Sequence, residues 1–321
     1  MRVLLVFSAL LASVQPVFAQ GWPNRAVTLV VGFAAGGGTD VLARIVVRKL
    51  SEVLGQQVVI ENVGGAGGMV GSARVAKAPP DGYTIVMCTR ADAVNQTLYK
   101  KPLYHAADDF APVAMIADQP LLLVTRKDLP VSNLKEFIVY AKANQAKMQH
   151  GSAGVGSATH LGCLVFNAAI GVDITHIPYK GGAPAMTDLI AGRIDYWCPF
   201  STTAMPQIKG DTVKPIALLA MQRLDVLPDL PTAHEQGLAN FEASTWNALF
   251  LPKGAPPAIV QKFHNAVVQA VATAQVRQRL NELGMSPAAP DRRSPEFLAK
   301  FIPAEIEKWA APIRASGISV D

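Results

Sequence analysis

Short runs dense in β-branched residues alternate along the chain with longer stretches in which apolar side chains recur every three or four positions. The short runs predict strands at 27–33, 57–61, 83–88 and 112–116, then at 121–125, 174–178, 194–199, 215–220 and 248–251. The longer ones predict helices over 40–54, 133–144, 158–170, 184–191, 258–272, 274–283 and 295–315. Strand–helix alternation of this kind belongs to α/β proteins with parallel sheets. One α/β group occupies 20–120, the first part of lobe 1, and a second, lobe 2, occupies 121–244. The strand and three helices left over at 245–321 are too few for a third domain, so they are expected to return and complete lobe 1. The chain then crosses between lobes near Gln119-Pro120 and again between Ala243 and Trp246. Two crossings make a hinge, and the cleft beside a hinge is where ligands bind.

The first nineteen residues stand outside this pattern. Arg2, the apolar stretch 3–11 and Val17-Phe18-Ala19 form a signal-peptide pattern, 1–19, with cleavage expected after Ala19. The apolar stretch is far shorter than the roughly 20 residues that span a bilayer. The mature protein is therefore expected free in solution outside the cytoplasm. Half the residues are hydrophobic and 17% are charged, enough to bury a large core and too apolar for a disordered chain. Without Arg2, 28 basic side chains stand against 24 acidic ones, and they are scattered. No nucleic-acid or membrane-surface role follows from that distribution, and a monomer is expected. Three cysteines, Cys88, Cys163 and Cys198, cannot all pair within one chain. Cys163 and Cys198 flank one predicted helix and strand and are the candidate disulfide; three buried thiols are the alternative.

Several chemistries fail on spacing. Neither Gly36-Gly37-Gly38 nor Gly64-Gly65-Ala66-Gly67-Gly68 spaces glycines as a dinucleotide site requires, and no Gly-Lys-Ser/Thr exists. Gly156-Ser157-Ala158-Thr159 lacks the second glycine of a nucleophile elbow, so Ser157 reads better as a helix cap. His105, His150, His160, His176, His234 and His264 never fall at i, i+4 spacing, and no metal site is expected. Paired carboxylates can converge from distant positions, but Asp108-Asp109 and Asp225 with Asp229 read as surface turns and caps. No catalytic residue and no cofactor are assigned.

The chain does contain small-residue turns that end a strand and open a helix. Such turns expose backbone N–H groups at the positive end of a helix dipole, which makes a carboxylate site without lysine or arginine. The first runs through Gly36-Gly37-Gly38-Thr39-Asp40, where Thr39 can cap the helix and Asp40 lies four residues before Arg44. Tight strand–helix packing also needs glycine, but three exceed that need. The second is Thr89-Arg90-Ala91-Asp92. There Arg90 could meet a ligand carboxylate and Asp92 an ammonium group, or the two could pair with each other or face solvent. The third, 150–160, offers Ser152, Ser157 and Thr159, with His160 either in the site or structural. In the fourth, 176–186, Gly181 and Gly182 open a helix whose N-terminus would face the cleft, and Lys180 reads as solvated.

Six segments resemble one family: FAAGGGTDVLAR (33–44), ENVGGAGGMVG (61–71), KAPPDGYT (77–84), GSAGVGSATHL (151–161), HIPYKGGAPAMTDLIAGRIDY (176–196) and LPDLPTAHEQG (227–237). Together, in order, they are similar to the Bug family, the substrate-binding proteins of tripartite tricarboxylate transporters. The resemblance implies an α/β, two-lobed periplasmic binding protein type II fold with a hinge, closing over a small mono- or dicarboxylate or amino acid. The ligand would be held mainly by backbone groups and water. Membrane components of a tripartite transporter would be the partners, or, in the alternative reading, a membrane sensor. An exported enzyme is a third reading. Carried over, the family pattern marks Phe33, Ala34, Ala35, Gly36, Gly37, Thr39 and Asp40, with Thr89 and Ala91 in the same lobe. Ser152, Ser157, Thr159, Gly181 and Asp195 are marked in the second lobe, and Arg90 joins them on its charge. Two residues depart from the family's habit. Gly32 stands where proline is common, which would loosen the chain before the first turn. Arg90 and Asp92 stand where small or hydroxyl residues are usual, which would shift ligand preference.

Overall fold

The computed structural model describes residues 21–315 and residue 319; the proposed signal peptide lies outside them. The first lobe opens with β1 (Val27–Val31), α1 (Gly38–Leu54), β2 (Val58–Asn62), α2 (Met69–Ala76), β3 (Thr84–Thr89) and α3 (Arg90–Leu98). A long strand, β4 (Phe110–Arg126), then leads into the second lobe. That lobe holds α4 (Leu134–Asn144), β5 (Gln149–Ser152), α5 (Ala158–Ile170), β6 (Thr175–Pro178), α6 (Gly182–Ile190), β7 (Tyr196–Trp197), α7 (Ser201–Lys209) and β8 (Val213–Leu219). β9 (Ser244–Pro252) returns, followed by α8 (Pro257–Ala272), α9 (Ala274–Glu282), β10 (Ser286–Pro287) and α10 (Pro295–Ala315).

Local sequence explains the main elements. In α1, Leu42, Val46, Leu50 and Leu54 recur every four residues, form one buried stripe and join Ile259, Phe263 and Val267 of α8 in a core. Gly55 ends the helix in the left-handed region at φ 68°. In α3, Thr89 and Asp92 form a capping box: Thr89 Oγ1 accepts from the Ala91 N–H at 3.2 Å, and Asp92 accepts from the Thr89 N–H at 2.7 Å.

The sheet runs β2-β1-β3-β9-β4-β7-β5-β6, with β8 and β10 also paired to β4. Parallel pairing is confined to the two flanks, β2-β1-β3 and β6-β5-β7. The middle is antiparallel, because β4 carries the chain out and β9 brings it back. The expected parallel pairing is thus present on both flanks, and the antiparallel β4 and β9 make the whole a mixed sheet. The separate strands expected at 112–116 and 121–125 are one strand, whose partner changes from β9 to β7 and β8 near Leu121. At the crossing Gln119 pairs with Thr245 and Pro120 with Ser244, so the connection is a two-stranded ribbon.

A disulfide joins Cys163 of α5 to Cys198 after β7, while Cys88 is a buried free thiol. Gly32 does not loosen its strand. A β-carbon there would sit 2.7 Å from the Gly68 carbonyl oxygen, so glycine permits two backbone segments to touch.

Candidate functional site

The lobes meet at the glycine turns. The Ala34 N–H donates to the Lys180 carbonyl at 3.3 Å, and Tyr99 Oη donates to the Val155 carbonyl at 3.3 Å. Gly181 adopts φ 144°, and a β-carbon on it would lie 2.7 Å from that of Ala34, so a larger residue would hold the lobes apart. Between these contacts lies a small enclosed cavity with room for about one water molecule. Gly37, Gly38 and Thr39 at the start of α1, Thr159 of α5, Gly182 of α6 and Phe200 with Thr203 at α7 line it. Phe33, Ala153 and Trp197 complete the wall, which contains no charged side chain. Four helix N-termini therefore converge on an uncharged cavity, an arrangement that stabilises an anion through backbone N–H groups and dipoles.

The first-lobe turn is held by Asp40. Its carboxylate accepts from the Gly36 N–H at 2.8 Å, from Arg44 Nε at 2.8 Å and from Asn62 Nδ2 at 3.0 Å. Asn62 also donates to the Phe33 carbonyl at 2.9 Å, locking both ends of the loop. Burial pushes the Asp40 pKa upward, but Arg44, the Gly36 N–H and Asn62 outweigh it and hold the carboxyl below the usual range. The predicted i, i+4 pair is present. The helix cap differs from expectation: Gly37 occupies the N-cap position, and Thr39 falls inside the first turn, where it lines the cavity.

The second-lobe turn is held by neutral groups. Ser157 caps α5, accepting from the His160 N–H at 3.2 Å. Thr159 Oγ1 accepts from the Ala153 N–H at 2.9 Å, and the Ser152 hydroxyl meets His176 Nε2 at 2.6 Å. His176 stacks on His160 with ring centroids 4.1 Å apart, and on its strand partner His150 at 4.9 Å. Burial, helped at His150 and His160 by neighbouring imidazoles, lowers those two to about 3; burial lowers His176 to about 4. All three are neutral at pH 7.

The sequence-marked residues therefore separate. Phe33, Gly37, Thr39 and Thr159 line the cavity, and Ala34, Ala35, Gly36 and Gly181 shape the loops beside it. Thr89 and Ala91 form the α3 cap. Asp195 accepts from Arg126 Nε at 3.0 Å and from the Gln149 N–H at 2.8 Å, and is not in the cavity wall. Arg90 lies in another cavity on the hinge, where its guanidinium stacks on Trp309 at 4.8 Å and faces Glu305 at 3.8 Å. Asp92 is buried and bonded to Ser72 and Tyr104, not to Arg90. Sequence reasoning missed Trp197, which lies in the strand predicted at 194–199 but was not read as facing a cavity, and missed Phe200 and Thr203, because it predicted no helix at 201–209. Pro206 and the Ser201-Thr202-Thr203 run hid the apolar period there, although Pro199-Phe200-Ser201 marks a helix start.

Two α/β lobes joined by a double crossing, with an uncharged anion cradle between them, define a periplasmic solute-binding protein. Residues 42–318 match the model of the tripartite tricarboxylate transporter family receptor, and the chain belongs to that family. The fold is similar to that of the periplasmic binding protein BugD, at 36% identity and TM-score 0.90, covering 93% of this chain and 99% of that one. It is also similar to MatC from Rhodopseudomonas palustris with bound malate, at 38% identity and TM-score 0.86 over 91% of this chain and 100% of that one. A second R. palustris protein, solved with adipate, is 35% identical with TM-score 0.88 over 93% and 99%. Membership makes the chain a solute-binding protein rather than an enzyme.

Proposed function

We propose that this protein captures a small carboxylate between its lobes in the periplasm and presents it to the membrane components of a tripartite transporter. The observation that carries this reading is the convergence of four helix N-termini on a cavity without a charged side chain. Malate and adipate in two similar proteins support the ligand class. Phe33, Ala34, Ala35, Gly36, Gly37 and Thr39 would meet the ligand from one lobe, and Thr159, Gly181, Gly182 and Thr203 from the other. Asp40, Ser152 and Ser157 would position those loops. In this reading 20–120 with 245–321 moves against 121–244, after a signal peptide is removed behind Ala19. The cavity is too small for a dicarboxylate, so the lobes must open to admit one and re-close around it.

Calorimetric titration and thermal shift against a panel of carboxylates, neutral sugars and metal ions test the proposal. A carboxylate at 100 times its dissociation constant should raise stability by about 2.7 kcal/mol. A response only to sugars or metals would overturn it.

A further inference from the structure

The cavity wall holds the carboxylate end of a ligand but says little of the rest, and nearby polar groups supply what is missing. Three carboxamides, Asn95, Gln119 and Asn247, are completely buried, yet neither the nitrogen nor the oxygen of any has a hydrogen-bond partner. Buried amide groups are almost always satisfied, so six orphaned atoms call for a partner.

Their positions agree. Gln119 on β4 and Asn247 on β9 belong to the crossing ribbon: Gln119 pairs with Thr245, and Asn247 pairs with both Ala117 and Thr89. Strand alternation puts Ala117, Gln119 and Leu121 on one face. Helix α5 covers that face, since a β-carbon on Gly162 would meet Leu121 at 2.4 Å. Asn95 reaches the turn that leads into the same helix, its Oδ1 lying 2.5 Å from where a Gly156 β-carbon would be. Asn95 thus sits at the turn into α5, and Gln119 and Asn247 lie on the strand face that continues to Leu121 beneath the same helix, whose Thr159 lines the ligand cavity. In the cavity wall itself the Thr203 hydroxyl and Trp197 Nε1 are also buried without partners, as is the Thr202 hydroxyl beside Gly38.

The chemistry of these carboxamides selects a ligand class. A carboxamide offers donors and an acceptor together. A carboxylate accepts only and would leave the amide oxygens unpaired; an ammonium donates only and would leave the nitrogens unpaired. A hydroxyl does both. We infer that Asn95, Gln119 and Asn247 form a hydroxyl-reading wall, and that the protein prefers hydroxylated carboxylic acids to unsubstituted acids of the same carbon number.

This inference rests on the carboxylate reading, and its test separates the two. The mature protein is titrated with carbon-matched pairs: malate and tartrate against succinate, galactarate against adipate. The hydroxylated member of at least one pair should bind about ten- to a hundredfold tighter, because the unsubstituted acid leaves buried amides unpaired. The near-isosteric variants Asn247→Leu and Gln119→Met should remove that preference, weakening the hydroxylated acids while succinate and adipate bind at least as tightly as before. Equal affinities within both pairs, with carboxylates still binding, overturn the hydroxyl wall alone. Absence of binding to every acid overturns the carboxylate reading with it. Equal weakening of all acids by Asn247→Leu, with unchanged melting of the free protein, shows general structural support and also overturns it. If neither variant folds, the wild-type pairs decide.

Discussion

The two halves of the clamp reach the same geometry by opposite chemistry. In the first lobe a buried carboxylate, Asp40, gathers Gly36, Asn62 and the exposed Arg44, so the loop is fixed by charge. In the second lobe hydroxyls and three stacked neutral histidines do the same work, backed by a disulfide. The difference teaches that one ligand cradle can have two separate vulnerabilities, and that acid and reduction should strike the second lobe first.

Acid gives the largest effect. The three histidines titrate near 6.5 when unfolded but at about 3, 3 and 4 in the fold. Between those values the unfolded chain binds protons that the folded one does not, so stability is full above pH 6.5 and falls as pH drops toward 4. The expected loss is about 3 kcal/mol for each histidine by pH 4, on the order of 10 kcal/mol for the three. Asp40, lowered below 3.8, acts in the other window: its contribution persists above pH 3.8 and disappears only as pH falls through its lowered value. A melting temperature that stays flat from pH 7 to pH 5 would erase the contrast.

Reduction comes next. The Cys163–Cys198 bond closes a loop of 35 residues, and Cys163→Ala with Cys198→Ala should cost about 3 kcal/mol in denaturant unfolding. Cys88→Ala, which breaks no bond, should cost less. Gly37→Val should weaken carboxylate binding about a hundredfold, or roughly 2.7 kcal/mol. A β-carbon there would already lie 3.4 Å from the Gly182 N–H across the cleft, so a branched side chain keeps the lobes apart. The melting of the free protein should change little, and unchanged affinity would locate binding elsewhere. Asp40→Asn gives the smallest effect, about 1–2 kcal/mol of stability, with a modest loss of affinity as the 33–37 loop loosens. Urea titration of the variant beside the wild type at pH 7 checks it, and an unchanged midpoint would show that Asp40 adds nothing to the fold.

The first lobe was the more legible of the two. Its site follows one continuous stretch, β1 to Arg44, in which period, glycines and the i, i+4 pair are all local. The second lobe was read less well, because its devices are tertiary. β5 has no β-branched residue, and it is a strand because β6 and β7 flank it on both sides. His150 and His176 are 26 positions apart and meet only through the parallel register of β5 and β6. Thr203 went unseen with the helix that carries it. Arg90 was read by its charge, but the tertiary fold gave it Trp309 and Glu305 instead of a ligand.

The place of β9 in the sheet also dictates an order of assembly. It lies between β3 and β4, so the first lobe's sheet has a gap until residues 244–252 arrive, after the whole second lobe has been made. The second lobe is built from one uninterrupted stretch and waits for nothing downstream. It is expected to fold first, with the N-terminal strands held open until the chain comes back. Pulse-labelling hydrogen exchange during refolding should show β5 and β8 amides protected before those of β1 and β3; the reverse order would contradict this sequence of events.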